Sequence, residues 1–228
     1  MKLKKIISFD GTVECVTGIA IKGAGNDMGI GGADSEVIKN PLTNEPYLPG
    51  SSLKGKMRSQ LEHKYGAKKI QRDRATRAVS YVVSEDQPCG CGKKDCLTCT
   101  VFGAHFNTTA ESSPTRIIVR DCTMTEDFRK QIQALPFERG SYLEVKGENI
   151  IDRKQGLAKS PRFMERVPAG ATFELHIKLQ IFEGDDEQKL RDYVEEGLRL
   201  VESSYLGGSG TRGYGQVKFH YDVTEDVL

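Results

Sequence analysis

The sequence carries almost no net charge: 33 lysines and arginines stand against 32 aspartates and glutamates, a formal +1 over 228 residues. A basic field over the whole molecule is thereby excluded, and any basic surface has to be local. No apolar run approaches the roughly 20 residues of a membrane-spanning helix. The start, Met1-Lys2-Leu3-Lys4-Lys5, lacks the hydrophobic stretch of a secretion signal. These absences predict a cytoplasmic chain with no membrane partner, where disulfides are disfavoured. There is no GK[ST] sequence, which removes a P-loop. One stretch, Gly208-Ser209-Gly210-Thr211-Arg212-Gly213, matches GxGxxG. A dinucleotide site needs that motif between a strand and a helix, and here a helical pattern precedes it and an alternating one follows.

The length suits one domain, or one domain with insertions. From Ile7 to Ile21 the odd positions are mostly apolar while Ser8, Asp10, Thr12 and Glu14 occupy even ones, which predicts a long strand with one buried face. Phe173, Leu175, Ile177, Leu179 and Ile181 repeat the pattern, and Arg116–Cys122 reads as a short strand with charged ends. Leu53, Met57 and Leu61 predict a helix from about Ser52 to Tyr65; Leu190, Tyr193, Val194, Leu198 and Val201 predict another behind Asp185-Asp186-Glu187. Val217, Phe219, Tyr221 and Val223 form a last strand. Strand, helix, strand, strand, helix, strand is the α+β order of ferredoxin-like, RNA-recognition-type cores. Two regions fall outside it, at about 66–106 and about 138–168, and read as insertions.

The first insertion opens with Lys68, Lys69, Arg72, Arg74 and Arg77, a basic run that suits either a solvated face or an RNA path. It continues with Cys89, Cys91, Cys96 and Cys99, four thiols within eleven residues separated by glycine and polar residues. That set suits a tetrahedral structural Zn²⁺ site with no open position. The single residue between Cys89 and Cys91 is a tight spacing, so His105 is a candidate replacement ligand; free thiols or a redox pair are the alternatives. Cys122 stands alone and reads as core. In the second insertion, Tyr142–Asn149 and Phe163–Pro168 flank a polar, cation-rich turn, which predicts a protruding hairpin.

Two stretches suit phosphate. In Pro49-Gly50-Ser51-Ser52-Leu53-Lys54-Gly55-Lys56-Met57-Arg58, Ser51 or Ser52 is placed to cap a helix, and Lys54, Lys56 and Arg58 cluster near its N-terminus. Gly207–Gly215 holds five glycines, a nest in which Gly208, Ser209 and Gly210 offer backbone N–H groups, Arg212 a charge and Tyr214 an aromatic face. A third glycine-rich loop, with five glycines between Lys22 and Gly32, leads into Asp34.

The run Gly31-Gly32-Ala33-Asp34-Ser35, then Lys39-Asn40-Pro41, then Pro46–Arg58 resembles the RAMP superfamily, and within it the repeated backbone subunit of the type III-A (Csm) CRISPR effector complex. Val101-Phe102-Gly103 and the glycine loop 207–215 resemble further signatures of that family. The resemblance implies a subunit that binds guide CRISPR RNA, assembles head-to-tail with copies of itself into a filament beside other Csm-complex subunits, and cuts paired target RNA at regular intervals. It implies that Asp34 is the catalytic residue, as a ligand of a divalent cation (Mg²⁺ or Mn²⁺) or a proton acceptor. It also names the hairpin a thumb, whose Phe163 and Met164 are the side chains suited to wedge between bases. A non-catalytic guide-binding scaffold is the alternative within the same complex. A guide-processing endonuclease is disfavoured, since only His63 lies near the basic helix.

Overall fold

The structure is a computed structural model that describes residues 2–22, 36–72, 79–84, 86–107, 110–135 and 141–228. Along the chain run β1 (Leu3–Cys15), α1 (Gly50–Tyr65), β2 (Ala67–Arg72), β3 (Val79–Ser84), α2 (Leu97–Phe102), β4 (Ile117–Val119), α3 (Glu126–Gln133), β5 (Glu144–Ile151), β6 (Ala158–Arg166), β7 (Thr172–Phe182), α4 (Glu187–Glu202) and β8 (Val217–Val227). The central sheet has the order β4–β7–β1–β8 with every neighbouring pair antiparallel. Two hairpins, β2–β3 and β5–β6, stand as separate two-stranded sheets.

Side-chain alternation sets the register. Ile7, Phe9 and Val13 of β1 face Leu179, Ile177 and Phe173 of β7, and all six are buried. Strand side chains alternate between faces, so this register makes one apolar layer. Helices α1 and α4 cover it with Leu53, Met57 and Leu61 from one and Leu190, Tyr193, Val194, Leu198 and Val201 from the other. The opposite face is polar: Asp10 meets His176 Nδ1 at 2.7 Å, and Glu14 meets His220 Nε2 at 3.3 Å. No helix among the described residues is long and apolar enough to cross a membrane.

Several boundaries differ from the sequence reading. β1 ends at Cys15 and not near Ile21; beyond it, Val16 and Thr17 N–H donate to Gln216 O, and Ile19 bridges Val167. The strand predicted over Arg116–Cys122 is confined to Ile117–Val119, because Arg116 turns inward. Its guanidinium is buried and donates twice to Asp185, at 2.8 and 2.9 Å, which ties the start of β4 to the turn before α4. Next to it, Asp186 caps α4 by accepting from Lys189 N–H at 3.2 Å.

Helix α1 begins at Gly50, not Ser52, and neither serine caps it. Both lie inside the first turn, past the position from which a hydroxyl can cap. The Gly50 N–H donates instead to Asp121 Oδ1 at 2.7 Å, just past the end of β4. This approach leaves no room for a side chain, because a Cβ on Gly50 would sit 2.4 Å from Val119 O. Gly55, one turn later, has nothing within 4 Å of its Cβ direction. The two glycines of one helix therefore respond oppositely to alanine. Gly50→Ala should cost about 1–3 kcal/mol by overpacking, whereas Gly55→Ala should gain about 0.5–1 kcal/mol from helix propensity. Urea unfolding of both variants checks the pair, and equal effects would contradict this account of α1.

Candidate nucleic-acid interface and metal centre

Three stretches distant in sequence meet beside α1. Lys56 holds its ammonium 3.8 Å from the ring centroid of Tyr205. Gly210 packs on that same ring, where a Cβ would lie 1.9 Å from Tyr205 Cγ. The glycine loop then turns through Ser209 at φ 59° and Gly213 at φ 86° and brings Arg212 to the β5–β6 hairpin. Arg212 donates to Glu148 Oε2 at 2.6 Å and to Ser209 Oγ at 2.6 Å, while the Tyr214 hydroxyl donates to Glu148 Oε1 at 2.7 Å. Lys146 and Arg166 lie 4.6 and 4.9 Å from the centroid of the Tyr214 ring, within cation–π reach. One carboxylate of the hairpin thus latches it to the loop.

The residues on either side of segment 23–35 reach the same place. Lys22 bridges Val37, whose N–H donates to Glu165 Oε2 of β6 at 3.2 Å, and Lys39 Nζ lies 3.3 Å from that oxygen. Gly208 N–H donates to Ala20 O at 2.8 Å. Asp34 itself, with Arg74 and Arg77 of the basic run, lies outside the described residues. Lys54 and Lys56 of α1 are partly buried. Burial, with the Arg58 charge second, lowers the Lys54 pKa from its ordinary value, and burial lowers that of Lys56. Both ammoniums gain from an anion brought alongside.

The four cysteines converge. Cys89 Sγ stands 3.7 Å from Cys91 Sγ, 3.8 Å from Cys96 Sγ and 3.6 Å from Cys99 Sγ, and Cys91 Sγ stands 3.7 Å from Cys99 Sγ. Thiolates at the ~2.3 Å bond length of a tetrahedral site are about 3.8 Å apart. The cluster can therefore hold a metal ion, and all four sulfurs lie within 4.8 Å of one another. Lys68 N–H points to Cys89 Sγ and Gly92 N–H to Cys99 Sγ, each at 3.4 Å, as suits anionic sulfur. Hydrogen bonds from Cys96 first and Cys99 second hold the Cys89 thiol far below its ordinary pKa. Donating to Cys89 pushes Cys96 up to about 12 and raises Cys99 as well. His105 is not needed as a ligand: its backbone N–H donates to Cys89 O at 3.1 Å and its ring lies against Phe106.

The profile of the RAMP superfamily matches residues 12–218. The chain belongs to the RAMP superfamily. Among its curated relatives, the CRISPR system Cms endoribonuclease Csm3 of Methanothermobacter thermautotrophicus is 40% identical over 230 residues, covering 96% of this chain and 85% of the relative. The protein of the same name from Streptococcus thermophilus is 36% identical over 215 residues, covering 93% and 86%. Among solved structures, the Csm3–Csm4 subcomplex of the type III-A CRISPR-Cas interference complex aligns with a TM-score of 0.60 at 26% identity, over 100% of this chain and 82% of that one. A chain of the type III-B Cmr-beta complex bound to cognate target RNA aligns with a TM-score of 0.60 at 15% identity, over 96% and 61%, and shares the fold.

Within this RAMP chain the residues singled out from sequence fare unequally. Lys56, Ser209, Gly210 and Arg212 are gathered around Tyr205 and Glu148 as described, and Gly208 is tied to Ala20; Lys54 lies one turn from Arg58, whose charge it feels. Ser51 is exposed and Ser52 half-buried on the first turn of α1. Arg58 is engaged elsewhere: its Nε donates to Glu62 Oε1 at 2.8 Å and its Nη2 to Cys89 O at 2.7 Å, so it holds the cysteine loop. Tyr214 is 1% exposed and offers no free face for stacking. Phe163 and Met164 are neighbours on β6 and therefore point to opposite sides. Phe163 is 53% exposed and Met164 only 8%, so of the pair only Phe163 presents an open side chain. Glu148, Glu62 and Asp121 escaped the sequence reading; only Glu62, four residues after Arg58 on a helix, left a local signal.

The latch has a direct consequence. Glu148→Ala removes the acceptor for both Tyr214 and Arg212, and amide hydrogen exchange across β5–β6 should accelerate about tenfold, while exchange in β1 and β7 stays unchanged. Unaltered exchange in the hairpin would mean that something else holds it.

Proposed function

We propose that this chain is the repeated backbone subunit of a type III-A CRISPR ribonucleoprotein, which binds guide RNA along a helical filament of its own copies and cleaves the paired target RNA. The reading is carried by the meeting of Lys56, the glycine loop and the β5–β6 hairpin, three RNA-facing candidates brought to one surface. The relatives named Csm3 endoribonuclease, and the type III-A subcomplex, supply the reaction and the neighbouring subunits. In this reading the sheet order β4–β7–β1–β8 is a ferredoxin-like core in which β1, β4, β7 and β8 are its four strands. The cysteine region and the hairpin are insertions, and the hairpin is the thumb that parts the guide–target duplex with Phe163. The metal is a structural zinc ion, since four thiolates form a closed, soft ligand set.

RNA brings its own nucleophile. The 2′-oxygen attacks the adjacent phosphorus, the bond to the 5′-oxygen breaks, and the products are a 2′,3′-cyclic phosphate and a 5′-hydroxyl that takes a proton from water. Asp34 accepts the 2′-hydroxyl proton or holds the divalent cation (Mg²⁺ or Mn²⁺) that would neutralise the phosphate. What supports this role is the pair of described residues flanking segment 23–35, where Lys22 bridges Val37, and Val37 and Lys39 reach Glu165 of the hairpin.

Two measurements test the reading. In a reconstituted assembly with labelled target RNA, Asp34→Ala should slow cutting by roughly 10²–10⁴-fold, with gel-shift affinity for guide and target unchanged. Cutting at the unaltered rate would remove Asp34 as the catalyst, and failure to bind target would make its role structural. Separately, Lys54→Ala and Lys56→Ala should each weaken guide binding whatever its sequence and reduce the salt slope by about 0.7–0.9 per lost phosphate contact. Unchanged slopes in both would place the guide elsewhere.

A further inference from the structure

We infer that Arg58 and Glu62 form the outer shell of the cysteine metal centre, and that through them metal occupancy is coupled to helix α1; the inference rests on the zinc reading above. Cys89 is the hub of the sulfur cluster, with its sulfur within 3.8 Å of each of the other three. It is also the cysteine whose peptide groups are gripped from α1 on both polar sides. Its N–H donates to Glu62 Oε1 at 2.8 Å, and its carbonyl accepts from Arg58 Nη2 at 2.7 Å. The same Glu62 oxygen accepts from Arg58 Nε at 2.8 Å, which closes the clamp. The two side chains are only 15% and 11% exposed, so solvent competes weakly for these bonds.

The clamp does chemical as well as mechanical work. A metal bound by four thiolates is net negative, and a lone carboxylate beside it would be repelled. Arg58 neutralises Glu62 and directs a cation's N–H at the Cys89 carbonyl. Outer-shell groups of this kind fix the orientation of a ligand, and their removal typically weakens metal binding 10–100-fold. Because α1 also carries Lys54 and Lys56, loss of the metal releases a contact on the helix proposed to bind guide RNA. Arg58 is in this account a positioning residue for the metal, not a phosphate ligand.

The experiment is a competitive chelator titration of Zn²⁺ on the full purified chain. Glu62→Ala and Arg58→Ala should each weaken zinc binding 10–100-fold. Glu62→Gln keeps a carbonyl acceptor for the Cys89 N–H and should stay nearer to the unaltered chain than Glu62→Ala. At saturating zinc, Arg58→Ala should leave the salt slope of RNA binding unchanged. Unaltered zinc affinity in both alanine variants overturns the inference, as does a lowered salt slope for Arg58→Ala. Should the alanine variants fail to fold, Glu62→Gln and Arg58→Lys decide it: zinc affinity unchanged by Arg58→Lys, which cannot reach both Glu62 and the Cys89 carbonyl, also overturns it. If the unaltered chain binds no zinc, or binds it equally with Cys96→Ser, the metal reading itself fails, and that failure is visible before any clamp variant is measured.

Discussion

The hydrogen bond from Gly50 to Asp121 fixes the rotational register of α1, and most of what this molecule can do follows from that register. A carboxylate at the free N–H of a helix N-terminus satisfies an orphan donor and complements the helix dipole. The helix meets the end of β4 so closely that only glycine fits at the contact. A slip of one residue would rotate every side chain of α1 by about 100°. Leu53, Met57 and Leu61 would leave the core, Lys56 would leave Tyr205, and Arg58 and Glu62 would release Cys89. Packing, the lysines of the proposed RNA site and the cysteine cluster therefore share a single geometric constraint.

The near-zero net charge looks at first unsuited to RNA, and the ion pairs resolve it. Arg58 is taken by Glu62, Arg166 by Glu144, Arg212 by Glu148 and Lys39 by Glu165. These pairs orient loops without leaving an excess of positive field. The face of the sheet away from the helices bears Asp10, Glu14 and Glu174, each partly exposed, and Asp222, exposed. Aromatic stacking on an open sheet, as RNA-recognition domains use, is opposed here by that row of carboxylates. Lys54 and Lys56 differ, because burial lowers the pKa of each. In the proposed reading the RNA path runs along helix, loop and hairpin, and not across the sheet.

Much of this was readable in the sequence because it is written in short-range pattern. Alternation exposed β1, β7 and β8, the fourfold spacing of Leu53, Met57 and Leu61 exposed α1, and four thiols in eleven residues exposed a cluster that could hold a metal ion. What stayed hidden depends on partners far along the chain. Asp121 lies 71 residues from Gly50, and Glu148 lies 64 from Arg212 and 66 from Tyr214. No local motif announces such pairs. Arg58 looked like one cation among three, and only the folded position of Cys89 separates it from Lys54 and Lys56. The five glycines of the 207–215 loop looked like a phosphate nest, yet Gly210 is already required by Tyr205 and Gly215 by Leu206, whose carbonyl a Cβ would meet at 2.0 Å. Packing alone accounts for those two.

The division between Phe163 and Met164 bears on how a filament of such subunits would space its cuts. If both residues were wedges, a hairpin could part the duplex at two adjacent steps and the distorted phosphate would be ill defined. Alternation along β6 permits one outward side chain, and the structure exposes Phe163 while burying Met164. In the proposed filament, one wedge per copy would distort one step per copy. The stem of the Asp34 segment is tied to the same strand through Glu165, two residues beyond Phe163. In the proposed reading Phe163 and the Glu165 that holds Val37 and Lys39 share one strand, and the interval between cuts follows the repeat of the subunit and not the sequence of the RNA. Recognition of sequence is then left to base pairing, and the protein need only measure length.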